Sequence, residues 1–99
     1  MEEKRYRESR LCRLLGNPVV YQIEVLLDAG GPLTPSKLAK LIGRQISTVS
    51  IHLGKLRAAD VVRYVTSGKE TRYWLKHKSE MKGLLKMLER VVNASAKLE

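Results

Sequence analysis

The amino-acid sequence predicts a small, mainly α-helical domain with one β-hairpin. Two observations predict this class. Apolar residues recur at helical spacing through most of the chain, and the period changes from 3.6 to 2 only between residues 61 and 75. The 99 residues suffice for a single domain, 1–99, with a modest core, and a domain of this size often gains stability from a partner subunit.

The composition argues against several classes of protein. Lysine and arginine number 19 against 10 acidic residues, a formal net charge of +9, and a basic domain most often binds a polyanion. The single cysteine cannot form an internal disulfide, and the longest apolar run is far below the ~18 residues of a membrane span. The first ten residues contain no apolar signal core. We therefore expect a cytoplasmic protein with no membrane partner.

Start and stop signals divide most of the chain into five helices. They are predicted over 3–15, from Asn17-Pro18 to the glycine pair before Pro32, from Thr34-Pro35 to Gly43, over about 45–59, and over 80–93. Asn and Thr accept the free amides of a first turn, Pro suits its first position, and Gly adopts the left-handed conformation that ends a helix. We expect Gly16 to end the first helix in this way, Ser79 to cap the fifth, and the residues from Ala94 to fray.

Residues 61–75 predict a β-hairpin. Val61–Thr66 and Thr71–Leu75 are rich in β-branched and aromatic residues, and Ser67–Glu70 between them is a turn signal. Valines fall on both faces of the first strand, so the pattern leaves open which face is buried.

The third and fourth helices are joined by a tight turn at Gly43, an arrangement typical of a helix-turn-helix, whose second helix enters the DNA major groove. Val49, Leu53 and Leu56 share one face of the fourth helix and predict its core side. The opposite face carries small or apolar residues and no acidic group: Ser47, Ser50, Ile51, Gly54 and Ala58. An ordinary solvated face would carry Glu and Lys, so this one favours close approach to a polyanion.

The positive charge is concentrated on the same part of the chain. Residues 34–74 hold eight basic and two acidic residues, two thirds of the net charge on about two fifths of the length. We predict base or phosphate contacts from Gln45, Ser47, Thr48, Ser50 and Ile51, and phosphate or groove contacts from Arg44, Lys55, Lys69 and Arg72, with Ile46 at the helix entry, where free amides can hold a phosphate. His52 is either a packing residue or a phosphate contact.

A family resemblance supports this interpretation. The segment Leu41–Val62, with its Ser-Thr-Val-Ser-Ile-His-Leu run and Leu-Arg-Ala-Ala step, resembles the recognition segment of the ArsR family of winged-helix regulators. Leu15-Gly16-Asn17-Pro18 resembles that family's opening motif, and Ser67-Gly68-Lys69 with Tyr73-Trp74-Leu75 resembles its wing. The resemblance covers about residues 10–92 and implies a winged helix-turn-helix that regulates transcription as a homodimer on double-stranded DNA.

The sequence also departs from that family. Its metal-sensing members carry a Cys-x-Cys pair in the third helix or Asp, His and Glu ligands on the last helix, and neither set occurs here. The three potential soft ligands, Cys12, His52 and His77, belong to different elements, whereas structural zinc normally takes four ligands. We therefore expect no metal and no cofactor, and no residue pattern identifies a small-molecule effector.

The resemblance implies that the first and last helices, 1–16 and 79–93, form the dimer interface. The apolar stripe of the last helix independently favours a seam between subunits. We expect this interface to contain Leu11, Leu14, Met81, Leu84, Leu85, Leu88, Val91 and Val92. We interpret a basic ridge on the last helix as its solvent-exposed face rather than as a second phosphate-contacting surface. The ridge consists of Lys78, Lys82, Lys86 and Arg90. Cys12 is interpreted as a small buried hydrophobic residue, with a redox-active thiol as the alternative.

No catalytic arrangement occurs in the sequence: it has no nucleophile elbow, glycine-rich phosphate loop or metal motif, so we expect no enzyme. Two alternatives to a sequence-specific regulator stay open. One is a winged-helix module that binds proteins, and the other is a general nucleoid-type DNA binder. RNA binding is disfavoured because the predicted recognition face has no aromatic side chain on which bases could stack.

Overall fold

The chain folds into five helices and a two-stranded antiparallel hairpin in a computed structural model that describes residues 2–95. The elements are α1 (Glu3–Leu15), α2 (Pro18–Gly30), α3 (Pro35–Ile42), α4 (Ile46–Ala58), β1 (Val62–Ser67), β2 (Glu70–Leu75) and α5 (Lys78–Ser95). The predicted fold class and order of elements are confirmed.

Local hydrogen bonds explain where the central helices begin. The Asn17 side chain accepts the N–H groups of Val19 and Val20 at 2.9 and 3.2 Å, which caps α2. The Thr34 hydroxyl accepts the N–H of Lys37 at 3.1 Å and caps α3. Gly43 ends α3 with φ of 79°, a left-handed conformation that costs glycine little. The Gly43 cap determines where the short turn between α3 and α4 begins.

Some boundaries differ from the sequence prediction. Gly16 keeps right-handed angles (φ −72°, ψ −12°), because its N–H still bonds to the Cys12 carbonyl as in a continuing helix. Ser79 lies inside α5 and does not cap it, since the first turn already includes a bond from the Met81 N–H to the His77 carbonyl. The hairpin turn is only Gly68-Lys69. Helix α5 continues through Ala94 and Ser95, and the rest of the predicted frayed end lies outside the described residues.

The hydrophobic core is built around α2 and α4. Its buried members come from all five helices and from the hairpin: Leu15, Val20, Ile23, Leu27, Leu38, Ala39, Val49, Leu53, Leu56, Val61, Val62, Leu75 and Met81. The α4 stripe of Val49, Leu53 and Leu56 has no exposed surface, so the predicted core side of that helix is confirmed. The core therefore fixes how α4 is rotated about its axis.

The hairpin is attached to the core at its base only. Val62 pairs with Leu75 and is buried, whereas the rest of β1, out to the pair Ser67 and Glu70, is exposed. The sequence left open which face of β1 is buried. In the structure both faces of β1 are exposed after its first residue, Val62. The segment between α2 and α3 extends the base, because Leu33 and Tyr73 exchange two backbone hydrogen bonds of 3.0 and 2.9 Å.

Asp60 forms the junction between α4 and the hairpin. It has φ of 64°, a left-handed conformation that Asp tolerates better than most residues. Its carboxylate accepts two hydrogen bonds of 2.8 and 2.7 Å from Lys76 Nζ, and these bonds lower the pKa of Asp60 below its ordinary value. This contact joins the end of α4 to the residue that follows β2.

Helix α5 leaves most of its apolar surface exposed, whereas the leucines of α1 pack on the core. Leu15 is the one buried residue of α1, and Met81 the one buried residue of α5 within its described part. Further along α5, Val91 and Val92 are 55% and 65% exposed. Across residues 2–95, no helix combines the length and the apolar character needed to cross a membrane. The exposed stripe is therefore a surface feature that packing among residues 2–95 leaves uncovered.

Glu24 is a buried carboxyl group inside the apolar core. Its side chain is fully buried, and neither carboxyl oxygen has a hydrogen-bond partner within the described residues. Burial, together with the nearby charge of Asp28, raises the pKa of Glu24 from 4.5 to about 7. The folded state therefore binds a proton that the unfolded state has released over the interval from pH 4.5 to 7.

We expect the free energy of unfolding to fall by roughly 2 to 3 kcal/mol between pH 5 and 8 because of Glu24, since stability decreases wherever the folded state holds the extra proton. Glu24→Gln should abolish this decrease, and Glu89→Gln on the exposed side of α5 should retain it. Urea denaturation at both pH values and one protein concentration measures the effect. An unchanged decrease in Glu24→Gln would contradict the assignment.

Candidate nucleic-acid interface

The outer face of α4 is the most unusual surface of the molecule. Ser47, Ser50, Gly54 and Ala58 are exposed, and Ile51 is 62% exposed at the centre of this face. Apart from its chain neighbours and the backbone of α4 itself, no described atom lies within 4 Å of the position that a Cβ of Gly54 would occupy, so packing against other elements does not require glycine there. This outward surface is smooth and free of carboxylates, which suits contact with base edges and phosphates.

The N-terminus of α4 lacks a side-chain cap. The Gln45 side chain makes no capping hydrogen bond, unlike Asn17 and Thr34 at the starts of α2 and α3. The first intrahelical bond of α4 runs from the Val49 N–H to the Gln45 carbonyl at 3.2 Å. The amides before Val49 are left without helical acceptors and, with the positive end of the helix dipole, can hold an anion.

The hairpin has a basic turn at its tip and an aromatic pair nearer its base. Lys69 is exposed at the turn and forms no ion pair among residues 2–95, whereas Arg72 is held by Glu70 at 2.9 Å. Tyr64 and Tyr73 pack with ring centroids 5.4 Å apart, and the guanidinium of Arg57 lies 5.4 Å from the centre of the Tyr64 ring. These contacts link the last turn of α4 to the hairpin.

Both acidic residues of the basic segment are ion-paired. Glu70 pairs with Arg72, and Asp60 pairs with Lys76 at 2.7 Å. Neither carboxylate lies on the outer face of α4. The surface formed by α4 and the hairpin therefore carries no unpaired negative charge that would repel a phosphate backbone.

The structure leaves nearly all of the predicted DNA-contacting residues accessible. Thr48 is half-buried on a flank of α4. The other nine are exposed: Arg44, Gln45, Ile46, Ser47, Ser50, Ile51, Lys55, Lys69 and Arg72. Eight of them lie on α4 or just before it, and two lie on the hairpin. Exposure is what a contact with DNA requires, and the contacts themselves stay predictions.

Sequence reasoning missed one part of this surface. A groove of about 340 Å³ separates α1 from α4 and is lined by Tyr6, Arg10, Arg13, Leu14, Asn17, Val20, His52 and Lys55. His52 is half-buried in it, and its Nδ1 atom is inaccessible and has no hydrogen-bond partner within the described residues. The arginines recur at i and i+3 beside Leu14, but the sequence does not show which element faces them.

Cys12 is exposed, so its interpretation as a buried hydrophobic residue is wrong. It lies about 100° around α1 from Leu11, beyond the strip of the helix that packs on the core. No group of three His, Cys, Asp or Glu side chains in the described part of the chain is arranged to hold a metal ion.

Comparison with known proteins shows which family this chain resembles. A protein-family model described as "Helix-turn-helix domain" matches residues 15–65, just over half of the chain. The matched region runs from the end of α1 through α4 into β1, so it contains the whole helix-turn-helix. Among curated proteins, none matches this sequence at a significant level.

Solved structures share the fold over nearly the whole chain. HlyU from Vibrio cholerae is 26% identical with a TM-score of 0.77, over 92% of this chain and 97% of HlyU. The transcriptional regulator HlyU from Vibrio vulnificus is 25% identical with a TM-score of 0.74, over 92% and 93%. The fold is also shared with the homodimeric winged helix-turn-helix DNA-binding domain of Mb0332 from Mycobacterium bovis, a possible ArsR-family transcriptional regulator, at 21% identity and a TM-score of 0.74, over 97% and 90%.

The matched segment, the α3–α4 turn and the attached hairpin agree with one another and with these structures. The chain therefore belongs to the ArsR-like helix-turn-helix family of winged-helix transcriptional regulators.

Proposed function

We propose that this protein binds double-stranded DNA sequence-specifically, as a homodimer on an inverted repeat, and regulates transcription there. The observation that carries the proposal is the division of α4 into a fully buried apolar stripe and an exposed face without carboxylates. Such a helix is held rigidly while it presents small polar and apolar groups to a groove. Because a transcriptional regulator must reach the DNA inside the cell, we infer that the protein is cytoplasmic.

Each part of the surface has a distinct role in this proposal. Ser50 and Ile51 at the centre of the exposed face contact base edges, with Ile51 suited to a thymine methyl group. The uncapped N-terminus of α4, from Gln45, holds a phosphate. Lys69 at the hairpin turn contacts the backbone or the adjacent groove. Base contacts supply sequence discrimination, whereas phosphate contacts supply affinity for all sequences.

The terminal helices support the homodimer. Exposed apolar side chains of α5, including Leu88, Val91 and Val92, continue the stripe that begins at the buried Met81. A groove of about 480 Å³ between α2 and α5 lies along this stripe. A two-fold axis would cover the same apolar surface on both subunits, and it would place two recognition helices on half-sites about one helical turn apart.

Selection of bound genomic fragments, followed by affinity measurements on selected and random duplexes across a salt titration, tests the proposal. We expect the selected sites to contain an inverted repeat and the selected duplex to bind at least about a thousandfold more tightly than the random one. Equal affinities for the two duplexes would indicate a nucleoid-type binder. Little affinity for either at physiological salt would indicate a protein-docking module.

Substitutions on the two parts of the surface should separate discrimination from affinity. Replacing both Ser50 and Ile51 by Ala should lower the ratio of selected to random affinity about tenfold or more, because base contacts are lost. Lys69→Ala should weaken both duplexes alike and reduce the slope of log affinity against log salt by about 0.9. If neither variant differs from the wild type, α4 and the hairpin are not the DNA-binding surface.

Two glycines provide a matched pair of variants. Gly54 and Gly83 both lie inside helices with open space at the Cβ position, so alanine at either should raise the free energy of unfolding by about 0.5 to 1 kcal/mol. Only Gly54→Ala should weaken binding to the selected duplex, by roughly fivefold, because its methyl group would occupy the face that meets DNA. Unchanged affinity in Gly54→Ala would contradict close approach at that position.

The dimer can be tested on its exposed stripe. Val91→Lys places a charge on the apolar face of α5 and should weaken dimerisation at least about tenfold, because two charges would be buried across the axis. Asn93→Lys, off this stripe, should leave dimerisation unchanged. Sedimentation equilibrium over a range of concentrations measures both. A wild-type monomer, or a Val91→Lys variant that remains fully dimeric, would contradict the interface.

A further inference from the structure

The groove between α1 and α4 combines positive charge from two different helices. Arg10 and Arg13 approach it from α1, and Lys55 approaches it from the flank of α4. Asn17, the residue that caps the start of α2, also lines the groove. No carboxylate is among its lining residues. The groove is therefore a concave surface where several cations converge on one small volume.

These cations are not neutralised within the described part of the chain. Arg10, Arg13 and Lys55 form no ion pair among residues 2–95, although Arg5 on the same helix pairs with Glu8 at 2.8 Å. Arg10 lies against the Tyr6 ring, with its guanidinium 5.9 Å from the ring centre. A stacked guanidinium keeps its N–H donors free at the edges, so the contact positions Arg10 without using its hydrogen bonds.

Two further polar side chains, Asn17 and His52, line the same groove. The Asn17 oxygen is already used in capping α2, so its amide N–H group is what remains for a ligand. His52 also lines the groove, and its Nδ1 atom is sealed from solvent without a hydrogen-bond partner within the described residues. Three cations and the Asn17 amide around one opening match an oxyanion.

We propose that this groove binds a backbone phosphate of the DNA that α4 recognises. His52 and Lys55 lie on the flank of α4 between its buried stripe and its exposed face, so a strand that follows that face passes the groove. The inference rests on the proposed function and extends its contact surface from α4 and the hairpin to α1. A phosphate seated there would bridge a helix of the dimer interface and the recognition helix.

The test compares two arginines that carry the same charge in different places. Arg13→Gln removes a groove cation, and Arg90→Gln removes one from the exposed side of α5, away from the groove. We expect Arg13→Gln to weaken binding to the selected duplex about tenfold and to reduce the salt slope by about 0.9. We expect Arg90→Gln to change both much less, because a distant charge contributes only to the long-range field.

Phosphate-ethylation interference on the selected duplex identifies the contact itself. Ethylation of one phosphate in each half-site should block binding by the wild type and by Arg90→Gln. The same ethylation should not reduce the remaining binding by Arg13→Gln. Lys55→Gln should lose interference at the same phosphate, and combining it with Arg13→Gln should cost less than the sum of the two single effects, since both share one ligand.

Equal affinities and interference patterns for Arg13→Gln and Arg90→Gln would overturn the phosphate groove while leaving the proposed function intact, since the wild type would still bind the selected duplex. Absence of duplex binding by the wild type would overturn both together. Circular dichroism of each variant at the binding temperature confirms that its fold is retained.

Discussion

The burial of one side of α4 is the constraint on which the rest of the structure depends. Val49, Leu53 and Leu56 have no exposed surface, and burying each of them fully contributes about 1.5 to 3 kcal/mol. A rotation by one residue, about 100°, would withdraw this stripe from the core and bury hydroxyl groups in its place. The packing that stabilises the domain therefore also determines that Ser50 and Ile51 face outward. In the proposed function, recognition and stability are therefore set by opposite sides of one helix.

The surroundings of α4 extend this constraint into an electrostatic surface. Asp60 closes the helix in a left-handed conformation and is held by Lys76, which removes a free carboxylate from the approach to DNA and fixes the hairpin base. Glu70 is held by Arg72 in the same way at the hairpin turn. Helix α5 differs in character, because most of its apolar face is left uncovered by the described part of the chain. Two thirds of the net charge of +9 thus lie on residues 34–74, which include a helix whose outer face carries no acidic residue.

Elements with local signals could be predicted from the sequence, and features that depend on contacts between distant elements could not. The starts of α2 and α3 follow from Asn17-Pro18 and Thr34-Pro35, because a cap is a hydrogen bond over two or three residues. The exposure of Cys12 depends on α1 packing along a single strip, which its own periodicity does not reveal. Glu24 resembles a solvated helix residue in sequence, yet α2 is surrounded by other elements and buries it. The groove at Arg13 exists only because α1 crosses near the flank of α4.

The most direct measurement is the NMR cross-saturation pattern transferred from the selected duplex to the amide groups of the protein. If the packing of α4 determines recognition, saturation should be strongest at the exposed positions of α4 and at the hairpin turn, and weak at the buried stripe and along the basic ridge of α5. Strong transfer to the α5 ridge with none to α4 would contradict this, because the helix fixed by the core would then not be the one that meets DNA.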